Sequence, residues 1–131
     1  MSQPVLSNFY GDKLLQALYL NTSFTLPTTV YVALFTTEPM PANSGTEVSG
    51  GSYARQSVTF GTVASHQSQN TNTVTWPVAT ANWGAIPWIA FFDASTSGNL
   101  ITYCPASATI TINNTQQYPS FAPASLTVSY L

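Results

Sequence analysis

Charge is what this chain has least of. Its 131 residues include two Lys or Arg and four Asp or Glu, so charged residues make up 5% of the chain, against roughly 25% in an average soluble domain. They are Asp12, Lys13, Glu38, Glu47, Arg55 and Asp93. Two cations and a formal net charge of -2 leave no electrostatic footprint for nucleic acid or for an anionic membrane surface, so neither is expected as a partner. Cysteine is nearly absent too. Cys104 stands alone, which excludes an internal disulfide and fits folding in a reducing cytoplasm; its expected use is small apolar packing. The single histidine, His66, has no Cys, His or carboxylate near it in sequence. No metal-ligand spacing occurs, and neither a metal nor a cofactor is expected. No nucleophile-elbow pattern is present. The glycine pair in Ser49-Gly50-Gly51-Ser52 enters a strand pattern rather than a helix, which excludes a phosphate loop. Nothing argues that Glu38, Glu47 and Asp93 converge as glycosidase carboxylates. No enzyme is expected. No apolar run approaches the roughly 20 residues of a membrane span, and Met1–Tyr10 lacks the basic and apolar regions of an export signal.

What replaces charge is uncharged polarity. Mean hydropathy is only +0.10, because Ser, Thr, Asn and Gln fill the places of the missing ions. Thr occurs 19 times, and Thr favours strands. A chain of this length forms one domain, residues 1–131, able to bury about two-thirds of its unfolded surface. Few charges also remove a common guard of exposed sheet edges. Edges here must be covered by loops or by other subunits.

The longest apolar run is Trp83-Gly84-Ala85-Ile86-Pro87-Trp88-Ile89-Ala90-Phe91-Phe92-Asp93. From Pro87 it reads as a strand with Trp88, Ala90 and Phe92 on one face and Ile89 and Phe91 on the other. Thr28–Thr37 has the same two-sided character. A strand apolar on both faces is covered on both sides: one cover is a second sheet, the other a helix, a loop or another copy. Ser7 caps a helix predicted over residues 8–20, whose stripe Leu14, Leu15, Leu18 and Tyr19 plugs the sandwich or docks on a partner. Long loops are predicted over residues 38–52 and 113–125. Between them lie a strand at Tyr53–Phe60, a polar hairpin loop at Ser65–Asn72, and a short strand at Thr73–Trp76. Further strands are predicted at Leu100–Tyr103, stopped by Pro105, at Thr109–Ile112, and at Leu126–Leu131 with Leu126, Val128 and Tyr130 inward. The sum is an all-β, antiparallel β-sandwich of seven or eight strands, jelly-roll-like, with one N-terminal helix.

Few side chains stand out as candidates. Arg55, one of two cations, is expected to pair with Glu47 or Glu38 and pin the 38–52 loop. Trp76 and Trp88 fall in strand patterns and are expected in the core, whereas Trp83 and Tyr118 fall at loops and are candidate exposed contacts. Asn21-Thr22-Ser23 and Asn113-Asn114-Thr115 match glycosylation sequons, at a frequency expected by chance in an Asn- and Thr-rich chain.

Three segments carry a resemblance: VYVALFTTEP at Val30–Pro39, GTEVSGGSYARQSVTF at Gly45–Phe60, and TWPVATANWG at Thr75–Gly84 running into IAFFD at Ile89–Asp93. Together they resemble small virion proteins of tailed phages, often labelled tail-fibre proteins. The Ser-Gly-Gly-x-Tyr-Ala-Arg segment and the Ala-x-Trp-Gly turn are the most specific parts. The likeness spans about Leu6 to Tyr103, with none found for Ala106–Leu131. It implies a compact β-sandwich at the virion surface, on capsid or tail, made in the host cytoplasm. The expected role is a capsid cement or decoration protein on the major capsid protein; the alternative is a distal fibre or tailspike module that binds a host surface glycan. Residue patterns imply a closed homo-oligomer, and the resemblance implies a trimer.

Overall fold

The computed structural model describes residues 4–113 and 116–130. Two residues of the second sequon and Leu131 therefore lie outside the described residues. In chain order the elements are β1 (Val5–Leu6), α1 (Asn8–Leu20), β2 (Val30–Phe35), β3 (Gln56–Val58), β4 (Gln67–Gln69), β5 (Val74–Thr75), β6 (Gly84–Phe92), β7 (Leu100–Ile112), β8 (Ser120–Phe121) and β9 (Thr127–Ser129). The fold is all-β and sandwich-like, with one helix among the described residues. A five-stranded antiparallel sheet runs in the order β1-β7-β6-β2-β3, and two ribbons, β4-β9 and β5-β8, form the opposing layer.

β2 and β6 pair at the centre, Val32 opposite Phe91 and Leu34 opposite Ile89. Their two apolar faces build two separate cores. On one face Val32, Leu34, Ile89, Phe91 and Cys104 meet Val74, Trp76 and Leu126 from the ribbon layer. On the other Ala33, Phe35, Ala90 and Phe92 cluster with Leu100 and Tyr103, the rings of Phe35 and Phe92 stacked at 6.0 Å. The chain supplies this second cover itself. The 38–45 loop reaches it, with Tyr103 donating to Glu38 Oε1 at 3.3 Å. The Arg55 guanidinium lies 3.7 Å from the Phe92 ring centroid.

Burial pushes the Cys104 thiol up to about 11, which keeps it protonated and inert at neutral pH.

Several sequence expectations change in physical detail. Pro105 does not stop a strand: β7 runs through it, pairing Pro105 with Trp88. β1 covers β7 only at Thr102 and Tyr103, so the Pro105 nitrogen falls where no neighbouring strand needs a donor. The register of β6 shifts between Ile86 and Trp88, at Pro87, which absorbs that residue's missing N–H. The polar Ser65–Asn72 loop holds β4, entered by a tight turn in which Ser65 and His66 both take positive φ (51° and 65°). Its Asn70 is buried and acts as a strut, donating to Asn72 O and Ala122 O and accepting from Leu126 N. The 113–125 loop likewise carries β8. Tyr130 is about half exposed rather than inward, while Leu126 is fully buried.

The helix differs most. Ser7 Oγ accepts from Tyr10 N at 3.2 Å, and Asn21 closes the far end in the left-handed conformation, its N–H bonded to Gln16 O. Between these caps Tyr10 is the buried residue. The Leu14, Leu15, Leu18 and Tyr19 stripe faces water and does not plug the sandwich.

Candidate interaction surface

Arg55 is held from every side. Its Nε donates to Glu47 Oε1 at 2.9 Å and Nη2 to Glu47 Oε2 at 2.8 Å, a bidentate pair. Nη1 donates to Ala94 O at 3.0 Å and Ser97 O at 2.8 Å. Tyr53 donates its hydroxyl to Glu47 Oε1 at 2.8 Å and accepts from Leu34 N at 2.9 Å. Burial, reinforced by the Glu47 carboxylate, raises the Tyr53 hydroxyl far above its ordinary range despite the Leu34 N–H. The Arg55 and Glu47 side chains are 8% and 24% exposed. A guanidinium and carboxylate so fully engaged with each other are poorly placed to bind an anion or move a proton. They tie β2, the end of the 38–52 loop and the 94–98 turn together. Glu38 stands apart, on Tyr103.

The aromatic candidates separate. Trp83 is 5% exposed and is not a surface contact. Its indole donates to Gly51 O at 3.0 Å and meets the Tyr53 ring edge-on at 5.5 Å. Gly51 sits at φ 59°, and a Cβ there would lie 2.7 Å from Trp83 Nε1. Glycine is required twice over, by backbone angle and by close approach. The Ser-Gly-Gly-x-Tyr-Ala-Arg segment and the Ala-x-Trp-Gly turn thus meet in space as one packing unit, which loop position alone could not reveal. Tyr118 is 53% exposed on the 113–125 loop. His66 is exposed at its turn, and the described residues contain no group of three His, Cys, Asp or Glu able to hold a metal.

What the sequence did not show is how α1 is mounted. The Tyr10 hydroxyl donates to Asp93 Oδ2 at 2.8 Å, and Asp93 is itself gripped by Asn99, from N at 2.7 Å and from Nδ2 at 3.0 Å. Phe9 and Phe24 pack edge-on to Tyr10. Burial alone would raise Asp93, but the bonds from Asn99 and Tyr10 outweigh it and hold the carboxyl below its usual range. Burial, with Asp93 beside it, pushes the Tyr10 hydroxyl up to about 12. The anchor is at the first turn, and the apolar stripe beyond it is left open. At 3.6 residues per turn Gly11, Leu14, Leu15, Leu18 and Tyr19 fall within an arc of about 140°. Leu15, Leu18 and Tyr19 are 58%, 74% and 78% exposed. The Lys13 ammonium sits over the Phe9 ring at 5.5 Å, away from that arc. No helix among the described residues is long and apolar enough to cross a membrane.

A protein-family model described as podophage GP4 fiber I protein gp80 matches residues 5–129. No curated protein matches the chain. The family match extends past Tyr103 through residues for which the sequence segments gave no likeness. Those residues complete β7 and supply β8 and β9, without which the sandwich lacks part of its second layer.

Two outcomes are expected. Arg55→Met should destabilise the fold by about 3 kcal/mol, near the low end for a broken buried pair because Glu47 keeps some water. Adding Glu47→Met should cost less than the sum of the two single changes, which urea denaturation of the four proteins measures. The second concerns pH. The folded Asp93 carboxyl lies below its unfolded value, so its contribution is present above about pH 4 and is lost as pH falls through the folded value. Thermal melts from pH 7 to pH 2 should show an acid loss that Asp93→Asn flattens; equal pH slopes for the two proteins would contradict the helix anchor.

Proposed function

The chain belongs to the podophage GP4 fiber I protein family, gp80, and from that premise we propose that it is a structural subunit of a phage tail fibre. Membership makes it a phage virion protein, and the match over residues 5–129 makes the sandwich itself the unit the family shares. That match is the observation that carries the reading. The internal chemistry supports it. The ion pair is spent on holding loops, the thiol is buried, and a stripe of exposed apolar side chains lies on a helix suited to assembly. The proposed work is mechanical and non-enzymatic.

Capsid decoration is the alternative location for the same virion-surface fold, and the family's description as a fiber protein favours the tail. Gold-labelled antibody against the purified protein, imaged on intact virions, separates the two. Label confined to the tail region is the expected result. Label over the whole shell would replace the fibre reading with decoration, and unlabelled virions would overturn both.

A further inference from the structure

We infer that the outward face of α1 is a self-docking surface, and that its occupant is the same face of a second copy of this chain. This goes beyond the fibre reading and does not depend on where on the virion the protein sits. Three observations carry it.

The first is area. Leu14, Leu15, Leu18 and Tyr19 are all exposed. Together they leave roughly 500 Å² in water, taking about 200 Å² for a large side chain in full exposure. That is the upper end of what a monomer shows as its largest apolar patch. It also matches the apolar share of a standard interface, which takes about 800 Å² from each partner, some 55–65% of it apolar.

The second is charge. The arc carries no cation, since Lys13 is held over Phe9, and Asp12 sits only at its margin. An acidic or basic partner would find nothing to pair with. A helix that lies on a membrane needs Lys or Arg along its polar face, and α1 has Lys13 alone. Against its own copy the face brings apolar side chains together without burying a charge.

The third is shape. Leu14, Leu15 and Leu18 repeat at the 3–4 spacing with which two helices interdigitate. A two-fold or higher closed axis sets the stripe of one helix against its equivalent, so each copy satisfies the other. The association also meets a need of the fold, because the anchor grips only the first turn of α1.

The test is the mass of the purified full chain by light scattering at about 50 μM, beside the Leu15→Glu/Leu18→Glu variant. The wild type should give a multiple of 14.0 kDa, and the variant should fall to a single chain with an unchanged circular-dichroism spectrum. A wild type that stays at one chain overturns the inference, as does a variant that keeps the wild-type mass. Should the variant misfold, Leu18→Cys provides the second arm. Cys104 is buried, so mild oxidation should give a linked pair through position 18, and failure to form one overturns the inference. A single-chain wild type that instead sediments with phosphatidylglycerol vesicles also overturns it.

Discussion

A buried guanidinium destabilises a fold unless its donors are engaged, and in a chain with two cations the placement of one of them shapes much of the rest. Arg55 is that group. It lies over the ring of Phe92, in the second core, while its donors reach Glu47, Ala94 and Ser97. Glu47 in turn fixes Tyr53, and Tyr53 holds Leu34 of the central strand. One contact set therefore joins the Gly-rich loop, the turn after β6 and β2, with Arg55 over the second core and Tyr53 packed against the first. Without it, the stacked rings of Phe35 and Phe92 would lose their lid. The charged residues are few, and this pair is the one salt bridge among the described residues.

The same constraint explains which parts of the structure could be read from sequence. Two-sided apolar strands at Thr28–Thr37 and Pro87–Asp93 demand two covers, and the fold has two cores for that reason. The helix bounds were legible because Ser7 and Asn21 are local signals whose partners lie three to five residues away. Which cover goes on which face was not legible, since it depends on contacts between residues far apart in sequence. Trp83 shows this well. It occupies a turn, and only the approach of Gly51, 32 residues earlier, buries it. Pro105 fails as a stop signal for a similar reason: whether its missing donor matters depends on which neighbour flanks β7 there. Asn70 is a polar residue in a polar stretch, and nothing local marks it as the strut for Leu126. The stripe on α1 was visible as a pattern. Periodicity fixes that such a stripe exists but not whether the domain's own core or another surface receives it.

That last point alters the argument for assembly. From sequence, the second faces of β2 and β6 were candidates for burial between copies. In the fold they are closed within one chain, and a stripe of exposed apolar side chains lies on a helix attached at its first turn through Tyr10 and Asp93. A sandwich that covers both of its cores and presents an apolar helix face fits the fibre role we propose. In the association we propose, copies meet through a surface whose exposure leaves both cores covered.

The central claim is that core and association surface are separate: β2 and β6 are covered within one chain, and α1 is the element that partners protect. Hydrogen–deuterium exchange on the purified protein across a hundred-fold range of concentration tests it most directly. The account predicts that amides of residues 30–35 and 84–92 exchange slowly and equally at every concentration, while those of residues 8–20 become protected as concentration rises. Concentration-dependent protection of the central strands, with α1 unchanged, would contradict it.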